Sequence, residues 1–115
     1  MNREQNKAQE APGAAASLKE EAIDILRTVF DPEISVNIYD LGLVYDVRVD
    51  GEGQVVVVMT LTSPACPMAA YLPLEVERKL KALPGAASAG VELVWDPPWN
   101  PGMMSEAARL QLGLF

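Results

Sequence analysis

In the run Leu43-Val44-Tyr45-Asp46-Val47-Arg48-Val49-Asp50-Gly51-Glu52-Gly53-Gln54-Val55-Val56-Val57-Val58-Met59-Thr60-Leu61-Thr62, apolar and polar side chains alternate as far as Asp50. Leu43, Tyr45, Val47 and Val49 point one way; Asp46, Arg48 and Asp50 point the other. Alternation with period two is the pattern of a strand with one face buried. Asp50-Gly51-Glu52-Gly53 supplies a turn, and Gln54 to Thr62 is a second, more continuously apolar strand. The two are expected to pair as an antiparallel hairpin.

Upstream of the hairpin the period changes. Ser17 followed by Glu20 fits a capping box, and Leu18, Ala22, Ile25, Leu26 and Val29 then recur at helical spacing. Asp31-Pro32 ends that helix, because the residue before a proline is pushed out of the helical region. Glu33 to Gly42 has no clean period and reads as a structured loop. Downstream, Ser63 to Pro67 is a tight link, and Met68, Leu72, Val76, Leu80 and Leu83 mark a second amphipathic helix ended by Pro84-Gly85. Pro73 fits this helix only within its first turn or so. Val91 to Trp95 reads as a third strand, Pro97 to Gly102 as a rigid loop, and Ser105 to Leu112 as a short last helix with Gly113 as its stop.

The order helix, strand, strand, helix, strand, helix predicts an α+β fold. Its helices pack on one face of a small three-stranded mixed sheet, making a two-layer domain that buries all the apolar stripes together. Residues 1–16 are polar and alanine-rich with a Pro12-Gly13 break, and are expected to be a disordered lead-in to a single domain over residues 17–115.

The residue inventory excludes much chemistry. There is no histidine and one cysteine, so Ser-His-Asp and Cys-His catalysis and imidazole-based zinc sites are ruled out, as are an internal disulfide and a CxxC pair. A formal charge of -7 with nine scattered basic residues speaks against nucleic acid and against an anionic membrane surface. No apolar run approaches the roughly 18 residues of a membrane span. The expectation is a cytoplasmic protein.

Three groups of residues can carry function. Cys66, in Thr62-Ser63-Pro64-Ala65-Cys66-Pro67-Met68, falls where a strand ends and a helix begins, with Pro67 suited to the first helical position. Free amides and the positive end of a helix dipole favour the thiolate, the form that binds iron or exchanges sulfur. Against this stands the ordinary behaviour of a lone cysteine as a small buried hydrophobe. Asp31, Glu33 and Asp40 form an acidic group that can hold a cation or serve as turn residues. Trp95-Asp96-Pro97-Pro98-Trp99, with Met103 and Met104 beside it, offers either a partner surface or a lid over the core edge.

Four ordered motifs give the chain a resemblance to the SufT/PaaD-like family of iron-sulfur cluster assembly factors, which covers almost everything from Leu18 to Leu114. They are Asp31-Pro32-Glu33-Ile34, Asn37 to Tyr45, Thr60-Leu61-Thr62 running to Cys66-Pro67-Met68, and Trp95 to Trp99. The resemblance implies a compact α-β domain that helps to mature or deliver iron-sulfur clusters, with Cys66 as its reactive residue and Asp31, Glu33, Asp40, Thr62, Ser63 and Pro67 in support. It implies the assembly machinery and client apo-proteins as partners. PaaD-type members carry a further cysteine-rich segment, whereas the sequence here runs only to Phe115, so the shorter SufT-like branch is the better match.

Clusters are usually held by four thiolates, or by thiolates with imidazoles. One chain offers one sulfur and a homodimer would offer two, so any iron or iron-sulfur cluster on Cys66 is expected to be transient. An adaptor without a bound cluster, using Trp95, Trp99, Met103 and Met104 as its partner surface and Cys66 as packing, is the alternative. A stand-alone thiol enzyme ranks below both, since no histidine or second cysteine could serve as base or resolver.

Overall fold

The computed structural model describes residues 17–32, 34–62 and 71–113. The lead-in expected over residues 1–16 lies outside them.

The first helix, α1, covers residues 17–26 and buries Leu18, Ala22 and Leu26. It stops short of the expected Asp31-Pro32 boundary. Thr28 donates to Ile25 O at 2.9 Å and Val29 to Leu26 O at 3.3 Å, so the last turn tightens to i, i+3 bonds. Phe30 then bridges Asn37, and Ile38 N–H donates to Val29 O at 2.8 Å. Within the segment read as loop lies a one-turn helix, α2, Ile38–Leu41. The Asn37 side chain accepts from Asp40 N–H at 2.8 Å as its N-cap, and Ile38 and Leu41 are both fully buried.

The hairpin forms as expected. Strand β1, Val44–Val49, runs antiparallel to β2, Gln54–Met59, with Val47 opposite Val57. The alternation has one interruption, a register shift between Val44 and Asp46, which makes Tyr45 the extra residue of a bulge. Helix α3, Tyr71–Lys81, follows, with Pro73 as its third described residue. Residues 63–70, including Met68, lie outside the described residues.

Strand β3 is Ser88–Leu93, three residues earlier than its apolar content predicts, and pairs parallel to β2 from Gln54↔Ser88 to Met59↔Leu93. The weak strand residues Ser88, Ala89 and Gly90 are extended because the whole length of β2 is available to pair with. The sheet order is β1-β2-β3, a mixed three-stranded sheet. A 3-10 turn, Pro101–Met103, leads to α4, Glu106–Gln111, capped by Ser105, whose hydroxyl accepts from Ala108 N–H at 3.1 Å. Gly113 follows at φ 76°, the left-handed conformation of a helix stop.

Val55, Val57 and Met59 on one face of β2 share a core with Leu18, Ala22 and Leu26 of α1 and Leu72, Val76 and Leu80 of α3. This is the helix-covered face of an α+β domain. On the other face Arg48 pairs with Asp46 at 3.0 Å and reaches Glu92 at 3.8 Å, both exposed contacts of small energetic weight. No helix among the described residues is long and apolar enough to cross a membrane.

Candidate functional site

β2 is the central strand, and its C-terminal end delivers the chain through Thr60, Leu61 and Thr62 into the segment that holds Ser63, Cys66 and Pro67. Those three residues, and Glu33, lie outside the described residues. The described residues form the frame around them. Thr62 is half-buried at the point of exit, and the chain is described again at Tyr71, the start of α3.

Strand directions bring the other motifs to this same end. β1 is antiparallel to β2, so its beginning lies there, and Thr60 N–H donates to Leu43 O at 2.9 Å. The Asn37 to Tyr45 motif therefore flanks the exit on one side. β3 is parallel to β2, so its end lies there too, and Val94 N–H donates to Met59 O at 2.8 Å. This puts Trp95-Asp96-Pro97-Pro98-Trp99 on the other side. α3 runs back the opposite way, because Gly85, just beyond its end, packs against Gly53 in the hairpin turn. Its first turn is thus also at the Cys66 end.

Side chains and backbone lock these segments together. Trp99 Nε1–H donates to Leu41 O at 2.8 Å, and Tyr45 Oη–H donates to Pro97 O at 2.7 Å. Ser105 N–H donates to Asp40 O at 2.8 Å. Gly42, at φ 91°, is the left-handed C-cap of α2, and a Cβ there would sit 2.5 Å from Met103 O. Only glycine allows the 3-10 turn to lie this close. The Asp96–Pro97 peptide is cis.

The acidic residues occupy separate positions. Asp31 is buried, 1 % exposed, and its Oδ1 accepts from Ile34 N–H at 3.0 Å, while its own N–H and carbonyl bond to Val36 and Ser35. It organises the turn that lays Phe30 beside Asn37. Asp40 Oδ2 accepts from Asn37 Nδ2 at 2.9 Å, closing the α2 cap from the other direction. Among the described residues no three His, Cys, Asp or Glu side chains group closely enough to hold a metal ion. Thr60, fully buried, finds no hydrogen-bond partner for its hydroxyl among the described residues.

The tryptophan and methionine group divides in two. Trp95 is exposed and Met103 half-buried, whereas Trp99 is packed against the core and Met104 is buried within it, 7 % exposed. Trp99 and Met104 thus fasten the C-terminal segment, while Trp95 is the exposed member and Met103, half-buried like Trp99, borders a cleft. Sequence reasoning named Met103 and the Trp95–Trp99 loop as a surface, but not the residues of the Asn37–Tyr45 motif that complete it. Tyr39, Gly42, Val44, Tyr45, Pro97 and Met103 line an open cleft of about 610 Å³. Arg27 lies over the Tyr39 ring, 4.8 Å from its centroid. Burial, with the nearby Asp96 carboxylate, raises the pKa of Tyr45 above its ordinary 10.0. The Asn37–Tyr45 motif pointed to these residues, but the bulge that sets Tyr45 apart is visible only once the pairing register is known.

Exposed apolar side chains gather at this end. Tyr71 and Leu74 stand on the first turn of α3, and Leu93 and Trp95 where β3 runs out. Phe30 lies beside the α2 cap, and Leu110 and Leu112 belong to the helix tied to Asp40. These are all the large exposed hydrophobics among the described residues; the hairpin end carries none.

Residues 19–93 match the model of a family described as iron-sulfur cluster assembly protein. A Porphyromonas gingivalis protein named Fe-S protein maturation auxiliary factor is 47 % identical, over 83 % of this chain and 90 % of that one. The Staphylococcus aureus Fe-S protein maturation auxiliary factor SufT is 45 % identical over 75 % of this chain and 98 % of its own length. Among solved structures, a domain of unknown function (DUF59) from Bacillus anthracis superposes with a TM-score of 0.82 at 36 % identity, covering 90 % of this chain and 99 % of that one. The four motifs, the mixed sheet that gathers them and these matches lead to one conclusion: the chain belongs to the iron-sulfur cluster assembly protein family, on its SufT-like side.

Proposed function

We propose that the chain is a cytoplasmic accessory factor in the maturation of iron-sulfur proteins, in which the Cys66 thiolate ligates iron or a cluster in transit and yields it to a client apo-protein. The observation that carries this reading is the convergence of the Asn37–Tyr45, Trp95–Trp99 and Thr60–Thr62 segments at the sheet end from which the Cys66 segment departs. The names of its relatives, Fe-S protein maturation auxiliary factors, support it.

The cluster is cargo. A single thiolate per chain supplies about a quarter of the ligands that a stable cluster takes, so the rest come from the assembly machinery, the client or a small thiol. Incomplete ligation suits handover, because a donor that held the cluster with a full set of thiolates would not release it. With no histidine and no second cysteine, the chain has no imidazole base and no resolving thiol for turnover, and we assign it no stand-alone enzymatic activity.

Replacement of Cys66 by Ser is the decisive test. Cells carrying only Cys66→Ser are expected to lose activity of client iron-sulfur enzymes while the protein itself accumulates normally. Full client activity would overturn the role of the thiol. Anaerobic reconstitution with ferrous iron and sulfide should give a labile, substoichiometric iron content that disappears in the variant. A Cys66 inert to alkylation in the native chain and reactive only after unfolding would instead favour the adaptor reading.

A further inference from the structure

We propose that the open cleft between Tyr39, Val44, Tyr45, Pro97 and Met103 is the client-docking pocket, and that its occupant is an apolar side chain flanked by Lys or Arg on the client protein. This rests on the delivery reading above and names the partner chemistry of the same end of the molecule.

The first observation is shape and lining. The cleft is walled by two tyrosine rings, a valine, a proline and a thioether, a mixture that takes an aliphatic or aromatic anchor. Its walls are fixed by the Tyr45 bond to Pro97 O and by the contact of Gly42 with the Met103 backbone. A docked side chain thus enters a preformed pocket, which spares the ordering cost of binding. The second observation is position: the exposed apolar side chains of the described residues, Tyr71, Leu74 and Trp95 among them, lie at this end, where they would border a docked client.

The third observation is charge, and it selects the occupant. The chain carries -7, and Asp96, exposed next to the cleft wall at Pro97, takes part in none of the ion pairs among the described residues. Asp96 is also near enough to act on the Tyr45 phenol. A second copy would bring the same negative charge to the same place, whereas a lysine or arginine beside the anchor would be steered in and paired.

The test uses the full chain with methyl-labelled valine and methionine and three blocked hexapeptides. One has leucine and phenylalanine flanked by lysines, one has glutamates in place of the lysines, and one has serines in place of the apolar pair. The lysine peptide is expected to shift the Val44 and Met103 methyl signals and to bind about tenfold more tightly than either control. Its affinity should fall with added salt, and Asp96→Asn should flatten that dependence. Met103→Lys, checked for native circular dichroism, should abolish the Val44 shift. Equal binding of the glutamate peptide, shifts confined to other residues, or no response at millimolar peptide would overturn the proposal. So would the same methyl shifts on concentrating the chain alone, which would assign the cleft to self-association. Cys66→Ser should keep the peptide response whether or not it loses maturation activity, so the two readings fail separately.

Discussion

At the hairpin end of the sheet the side-chain ties are local, and the long-range ones, from Ala87 N–H and Ser88 N–H to Gly53 O at 2.8 and 3.4 Å, are backbone bonds. Asp50 Oδ1 accepts from Glu52 N–H and Gln54 N–H, both at 2.9 Å, and Gly53 takes φ 86° to let Gly85 and Ala87 pass. At the Cys66 end the ties span more than fifty residues: Tyr45 to Pro97, Leu41 to Trp99 and Asp40 to Ser105. Local bonds make a turn that any hairpin could use. Long-range bonds make a surface that exists only when the domain is complete, and this is where the apolar side chains and the Cys66 segment are found. The hairpin end closes a fold; the opposite end gathers the motifs.

The largest effect should come from the two glycines. Gly42→Ala adds a Cβ 2.5 Å from a backbone carbonyl in a left-handed conformation, and is expected to cost about 3 kcal/mol in urea unfolding. Gly53→Ala meets backbone too, but at the longer distance of 2.8 Å from Gly85 O and beside the exposed Gly51-Glu52 tip, and should cost less, about 2 kcal/mol. Equal losses would mean that the two ends are equally rigid, and the contrast would fail.

Trp99→Phe keeps most of the packing and deletes the bond to Leu41 O. We expect a loss of about 1–2 kcal/mol with faster amide exchange in α4, since the C-terminal segment loses one of its ties. Unchanged exchange there would show that the segment is held by packing alone. Asp50→Ala removes the acceptor of two turn amides, and should cost about 1 kcal/mol without altering exchange at Trp99, because the damage stays local.

The smallest effect is a titration. Burial, with help from Asp96, raises the Tyr45 pKa, so the folded chain holds that proton more tightly than the unfolded chain. The associated stability is intact below pH 10, the unfolded value, and is lost as pH rises through the folded one. An ultraviolet titration of the three tyrosines should show one ionising later than the others, and Tyr45→Phe should remove that late step. Three coincident ionisations would place Tyr45 in open solvent and weaken the description of the cleft.

Legibility followed the range of the interaction. The hairpin could be read from Leu43 to Thr62 because alternation and a glycine turn act over neighbouring residues. Helix α4 could be read because Ser105 and Gly113 mark its limits by their own chemistry. Helix α2 could not, being a single turn held by the Asn37 cap and by burial of Ile38 and Leu41 in a core assembled from elsewhere. The early start of β3 was hidden for the same reason, since Ser88, Ala89 and Gly90 are extended by pairing and not by preference.

The amino-acid order alone determined the helix and strand succession, the exclusion of imidazole and disulfide chemistry, and the membership signalled by four motifs. Those depend on local periodicity, composition and identity. Only the tertiary structure decided that the motifs meet at one end of the sheet, that Trp99 and Met104 fasten while Trp95 stays exposed, and that Tyr45 and Met103 form cleft walls. The reason is that parallel pairing of β3 with β2 sets residues 34 positions apart side by side, as Met59 with Leu93, and no local signal encodes that distance.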